Sequence, residues 1–250
     1  MSLANLLKTK ATSWTARQWK TKAARLAGHR AVASITFDDF PKNAWETGGP
    51  VLARHGVRGT YYTAGGFCGR TVDGTVFYDE SDLQALAAAG HEIACHGFAH
   101  QPTPGLTTAE LQADAARNLQ FLQPFLKGEA PVSYAYPYGK ASLRTKGLLA
   151  PLFPSLRGVH PGVNLGRVDL AQLNAISLEM RCWDENAIEA AIHRAQHEHG
   201  WLVFYTHDVS EAPSEYGSTP AMLDWALSRL AAARIEVLPV REALPVALGL

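Results

Sequence analysis

Four short polar clusters in this chain hold side chains that can bind a metal ion or move a proton. Asp38-Asp39 follows Ser34-Ile35-Thr36-Phe37, and His96, with His100 four residues on, follows Glu92-Ile93-Ala94-Cys95. Pro137-Tyr138-Gly139 follows Tyr134-Ala135-Tyr136, and His207-Asp208 follows Val203-Phe204-Tyr205-Thr206. One Asp with two His is a sensible donor set for Zn²⁺ or a similar ion, because three protein ligands leave positions open for water and substrate. Such an ion lowers the pKa of a water toward ~7 and polarises a carbonyl. A second carboxylate can then take the proton of that water and a histidine can protonate a leaving group; Asp38 and His207 are available for these roles. The H-x-x-x-H spacing alone decides little. His193 and His197 repeat it inside a predicted helix, among Arg194, Gln196 and Glu198, and read as solvated.

The clusters gain weight from the elements that carry them. Strands are expected over 31–37, 60–63, 92–95, 132–136, 156–160, 175–178, 201–206 and 235–239. Helices are expected over 43–55, 81–89, 107–125, 143–150, 184–199 and 219–233. Asn43, Ser81, Thr107 or Thr108, Asp184 and Thr219 are the expected N-caps, and Gly56, Gly90 and Gly200 the stops. Thr107-x-x-Glu110 fits a capping box, and Pro220 fits a first helical position. The glycine-rich stretch 65–77 reads as a surface loop, and 213–220 has turn chemistry that could overhang a site after His207. Strand–helix alternation through a whole chain implies an α/β fold with a mainly parallel sheet and helices outside. Seven or eight strands suit a closed or nearly closed barrel, and a doubly wound open sheet is the alternative, though no G-x-G-x-x-G follows the first strand. In a parallel barrel the carboxyl ends of the strands share one face, so the fold would gather the four clusters.

Composition agrees with one large domain. Of 250 residues 47% are hydrophobic and 18% charged, enough to bury a core. Lys+Arg and Asp+Glu both number 23, which gives no electrostatic case for nucleic acid. No uncharged apolar run reaches the ~18 residues of a membrane span. Cys68, Cys95 and Cys182 form no C-x-x-C pair and read as reduced thiols. Residues 1–30 hold seven basic side chains (Lys8, Lys10, Arg17, Lys20, Lys22, Arg25 and Arg30) and no acid. Basic residues interrupt every apolar run there, so no cleavable signal is read and a cytoplasmic location is expected. The segment is expected to be a helical extension ahead of a 31–250 domain, solvated on the outside of the barrel. The alternative is weak contact with an anionic membrane surface, since Leu3, Leu7 and Trp14 fall on one helical arc.

Thr36-Phe37-Asp38-Asp39, His96-Gly97-Phe98-Ala99-His100, Tyr136-Pro137-Tyr138-Gly139 and Tyr205-Thr206-His207 resemble the motifs of polysaccharide deacetylases, the NodB-homology group or carbohydrate esterase family four. The resemblance covers about residues 31–243. It implies that Asp39, His96 and His100 hold a divalent metal, most simply Zn²⁺, with Co²⁺, Ni²⁺ and Mn²⁺ also compatible. It implies Asp38 as general base on the attacking water, His207 as general acid on the departing amine, and the Tyr138 backbone N–H as an oxyanion donor. The fold implied is a distorted (β/α)7-type barrel with mainly parallel strands, and the reaction implied is metal-assisted hydrolysis of an N-acetyl amide on a sugar, releasing acetate. A same-fold amidase or esterase on another acyl substrate (a formyl, O-acetyl or lipid-linked sugar) and a non-catalytic carbohydrate-binding relative are the alternatives.

Three departures from the family pattern matter. The arginine that commonly precedes the proline by two residues is Ala135, and Arg157, then Lys140, are the candidates to replace it. Gly97 stands where the family has Ser or Thr, which removes a hydroxyl that could support the metal loop. Tyr205 stands where an aliphatic residue is usual. Phe40, Trp45, Tyr138, Trp183, Tyr205 and Tyr216 are candidate platforms for sugar rings.

Overall fold

The computed structural model describes residues 15–250. Its centre is a parallel sheet of β2 (Val32–Phe37), β3 (Thr60–Thr63), β6 (Glu92–Cys95), β7 (Ser133–Ala135), β8 (Ser155–Arg157), β10 (Ile176–Ser177) and β11 (Trp201–Thr206). The strand order is β10-β11-β2-β3-β6-β7-β8, and the short β12 (Glu236–Val237) also pairs with β2. β2, β3, β6 and β11 are buried along their whole length, as expected for parallel strands covered on both faces.

The two-residue period of these strands sorts their side chains. Ala33, Ile35 and Phe37 of β2 join Leu202 and Phe204 of β11 and Leu223 and Leu227 of a flanking helix in the main core. The alternate residues are polar or small: Ser34 and Thr36, Thr60 and Tyr62, Glu92 and Ala94, Ser133 and Ala135, Ser155 and Arg157. Continued to the strand ends, this second face carries Asp38, His96 and His207.

The sheet curls into a barrel. Arg157 of β8 touches Asp38 at the end of β2, four strands away. On a flat sheet those strands would be ~19 Å apart. Residues 170–175 close the remaining gap: Leu156 N–H donates to Leu170 O (2.7 Å), Gly158 N–H to Leu173 O (3.0 Å), and β10 then pairs with β11. At the amino ends of the strands the last helix, Val240–Leu248, stops the barrel. Its first N–H groups donate to Thr60 Oγ1 (2.9 Å) and to the buried Glu92 carboxylate (2.8 Å).

Several expectations are corrected. The helix over 43–55 is two short helices, Lys42–Glu46 and Gly48–Arg54, and Asn43 does not cap; its Oδ1 faces the Val209 N–H at 3.4 Å. The helix Glu80–Ala88 is capped by Asp79 rather than Ser81. The 184–199 helix ends on His199 in a left-handed conformation (φ 54°), one residue before Gly200. The 65–77 loop contains a small hairpin, β4 (Thr71–Val72) and β5 (Thr75–Val76), turned by Asp73 and Gly74 at positive φ. Of the basic extension, residues 1–14 lie outside the described residues, so the arc through Leu3, Leu7 and Trp14 is not placed. Residues 15–18 are helical, but β1 (Ala23–Arg25) is a strand, antiparallel to β9 (Arg167–Asp169). Buried Lys146 fastens this strap, reaching Ala16 O, Trp19 O (2.8 Å) and the Asp169 carboxylate (2.5 Å). Among the described residues no helix is long and apolar enough to cross a membrane.

Candidate active site

At the end of β2 the chain turns through two consecutive non-glycine residues in the left-handed region, Asp39 (φ 62°) and Phe40 (φ 61°). Such a turn is held only where its surroundings over-determine it. Phe40 supplies that hold: it is fully buried and stacks on Tyr78 at 4.7 Å. The turn aims Asp38 and Asp39 into one cavity of about 440 Å³, which His96, His100, Tyr138, Glu179 and His207 also line. His193 and His197 lie exposed on their helix, away from it.

Asp39, His96 and His100 present ligand atoms all within 4.8 Å of one another. His96 Nε2 lies 3.1 Å and His100 Nε2 2.9 Å from Asp39 Oδ1. His96 Nδ1 faces the Ala135 carbonyl at 2.8 Å, and a carbonyl only accepts, so Nδ1 carries a proton and Nε2 is the nitrogen turned toward Asp39 as a ligand atom. Asp39 Oδ1 is buried and has no hydrogen-bond partner. Two imidazole nitrogens converging on a carboxylate oxygen in a buried corner are the donor set of a divalent cation, so the residues fit a metal.

Asp38 is buried and ion-paired to Arg157 Nη2, and its N–H donates to Thr206 O at 2.9 Å. Arg157 is itself buried, lies over the rings of Tyr62 (4.9 Å) and Tyr205 (5.2 Å), and donates from Nη1 to Gly158 O (3.0 Å). In the β7–β8 register Ala135 is directly paired with Arg157. The guanidinium therefore enters from the neighbouring strand at the level where Ala135 leaves space. Lys140 is exposed, over the Tyr138 ring at 5.6 Å, and does not reach Asp38.

His207 is held by a residue that sequence reasoning missed. Glu179, fully buried, places Oε1 3.2 Å from His207 Nδ1, and the Tyr216 carbonyl lies 3.1 Å from the same nitrogen. Both neighbours are acceptors, so Nδ1 carries a proton. Burial alone would lower the His207 pKa, but the Glu179 carboxylate, with Asp39 and Asp38 nearby, raises it to about 9. Glu179 also accepts from Ser177 Oγ (2.9 Å) and Arg181 Nε (3.0 Å). The one signal for it in the sequence is Ser177-x-Glu179-x-Arg181, polar residues alternating out of a two-residue strand.

Tyr138 has φ 56° in a tight turn after β7, and its exposed ring lies 4.7 Å from that of His100. Tyr205 and Tyr216 also line the cavity, as does Ser214 of the 213–220 segment. Phe40 is core, and Trp45 and Trp183 pack against it, so these three are corrected as sugar platforms. The hairpin contributes Thr75, with Phe77 beside it, to the cavity wall.

Comparison with known proteins gives a consistent family. A family model for polysaccharide deacetylase matches residues 26–151. No curated protein sequence matches the chain. The fold is similar to a family 4 carbohydrate esterase from Streptomyces lividans in complex with acetate, at 19% identity and TM-score 0.56, covering 84% of this chain and 93% of that one. It is similar to the Bc1960 peptidoglycan N-acetylglucosamine deacetylase, at 14% identity and TM-score 0.60, covering 90% and 92%. It is also similar to a CE4 family pseudoenzyme from Bacillus anthracis, at 11% identity and TM-score 0.58, covering 88% and 68%. At these identities the likeness is one of fold, and it includes a relative described as a pseudoenzyme, so activity has to be argued from the side chains.

Proposed function

The chain belongs to the polysaccharide deacetylase family, and from that premise we propose that it is a metal-dependent hydrolase removing N-acetyl groups from an amino-sugar-containing glycan or oligosaccharide, with release of acetate. One observation carries the reading: a carboxylate paired with a buried guanidinium (Asp38–Arg157) and an imidazole paired with a buried carboxylate (His207–Glu179) line the same cavity as the Asp39–His96–His100 triad.

Asp39, His96 and His100 would hold the ion, with Zn²⁺, Co²⁺, Ni²⁺ and Mn²⁺ all compatible with an Asp and two His. When bound there, a divalent cation would supply Lewis acidity, polarising an acetyl carbonyl and lowering the pKa of a water toward ~7. Asp38 accepts the proton of the attacking water, and its ion pair with Arg157 fixes its direction. The oxyanion that develops on the acetyl oxygen takes a hydrogen bond from the Tyr138 N–H. His207 protonates the amine as the C–N bond breaks, and Glu179 balances the imidazolium beforehand. Tyr138 and Tyr216, both exposed at the cavity, offer faces to the sugar ring.

The test is acetate release from a panel of chitooligosaccharides, poly-N-acetylglucosamine fragments, a nucleotide-linked acetylated sugar and an acetyl ester. It is run on metal-stripped protein and again after adding Zn²⁺ or Co²⁺. Metal-dependent release from an N-acetyl substrate supports the reading and narrows its substrate. Release from the ester alone favours the esterase alternative. No release together with no metal binding favours a non-catalytic carbohydrate-binding relative.

A further inference from the structure

The loop that carries both histidines is gripped from outside the cavity by a carboxylate with no part in the chemistry above. Asp114 lies on the helix Thr108–Leu122. Its Oδ2 accepts from the Phe98 N–H (2.9 Å) and its Oδ1 from the Ala99 N–H (2.8 Å), so one side chain takes two successive donors midway between His96 and His100. Gly97 makes this approach possible. It has φ +73°, and a Cβ there would lie 2.7 Å from Asp114 Oδ2. Any side chain at 97, including a hydroxyl-bearing one, would therefore displace the carboxylate. The same helix holds the loop at one further point, where Arg117 lies over the Phe98 ring at 3.7 Å. Buried Asn118 fastens the helix to the neighbouring strand instead, donating to Thr63 O (2.9 Å) at the end of β3 and accepting from the Gly65 N–H (2.8 Å).

We infer that Asp114 is the positioning residue of the metal triad. It fixes the backbone from which His100, at φ +49°, turns its Nε2 toward Asp39, and it takes over the support that a hydroxyl at position 97 would otherwise give. His96 has its own support in the Ala135 carbonyl, whereas His100 Nδ1 has no such partner among the described residues, and its placement depends on the loop. The inference rests on the reading of Asp39, His96 and His100 as a metal site. Groups that orient metal ligands typically change affinity about 10–100-fold when removed.

The experiment titrates the metal-stripped full chain with Co²⁺ against a competing chelator and records the visible spectrum of the bound ion. Asp114→Ala should bind Co²⁺ about 10–100-fold more weakly, with an altered band shape. Asp114→Asn, which keeps one acceptor, should fall between it and the unaltered protein, and serves if the alanine variant does not fold. Thr107→Ala removes the capping box of the same helix without touching the loop, and should leave affinity and spectrum unchanged. Wild-type affinity and spectrum in the folded Asp114 variants would overturn the inference, as would an equal loss in Thr107→Ala, which would mean that helix stability alone matters. An unaltered protein that binds no Co²⁺ would overturn the metal reading of the triad itself, and this inference with it.

Discussion

Arg157 and Asp38 share a buried ion pair, so removing either leaves the other's charge inside the barrel. Arg157→Ala should cost about 3–5 kcal/mol of stability by that mechanism. It should also lower kcat by about 10²-fold or more, since a general base contributes on that scale, while metal content stays at the wild-type level. Because Ala135 faces Arg157 across β7–β8, the double variant Arg157→Ala/Ala135→Arg should recover part of kcat. Kinetics on the three proteins, with bound metal measured in each, check this, and a fully active Arg157→Ala refutes the role. His207 yields a pH prediction. Its imidazolium is the acid, so activity should fall as pH rises through its pKa. That lies near 9 in the metal-free protein, and lower once a cation offsets Asp39. Glu179→Gln removes the largest support for the positive charge, so the alkaline limb of kcat/KM should move to lower pH, and an unmoved limb would count against the pair. The side chains at strand ends were legible because a parallel barrel must gather them. Glu179 and Asp114 were not: one leaves a strand of two residues, the other sits mid-helix, where an acid ordinarily faces water.

The elements with strong local chemistry were the readable ones. Thr107, Asp184 and Thr219 cap the helices expected of them, because a side-chain oxygen there meets an N–H that has no other partner. The hairpin was hidden although Asp73-Gly74 between Val72 and Thr75 is its usual turn, since four strand residues are too few to show alternation. β1 and β9 escaped notice because their pairing spans more than 140 residues and their exposed positions look like loop. The barrel-closing segment depends on one side chain. Asn164 accepts from the Asn174 N–H (2.9 Å) and donates to Asn174 O (3.0 Å) and Trp201 O (3.1 Å), filling in for backbone pairing where β10 begins. Asn164→Ala should strand those buried groups at about 1–3 kcal/mol. For a chain this long that means a melting temperature lower by roughly 2–12 °C. Because Trp201 lies at the amino end of β11, away from the cavity, metal stoichiometry should not change. Thermal melts paired with metal analysis separate the two effects, and lost metal at unchanged stability would contradict this placement.

Across the whole molecule the metal triad ties the strained turn after β2 to the loop after β6, two segments that an unfolded chain keeps more than 50 residues apart. A ligand that binds only the folded chain stabilises it by mass action, about 2.7 kcal/mol at a hundred times its Kd. For about 250 residues that corresponds to a rise of roughly 5–11 °C in melting temperature. Metal-stripped protein should therefore melt lower than protein given Zn²⁺, and a chelator in excess should reverse the gain. His96→Ala removes one ligand, together with a buried ring whose Nδ1 meets the Ala135 carbonyl, so it should melt low with or without Zn²⁺. His193→Ala, on an exposed helix face, should keep the full response. The contrast between these variants assigns the shift to one site: a Zn²⁺ response that survives in His96→Ala would place the ion elsewhere on the surface. A response that vanishes there while acetate release is absent in the unaltered protein would leave a formed metal site that none of the tested acyl sugars fits.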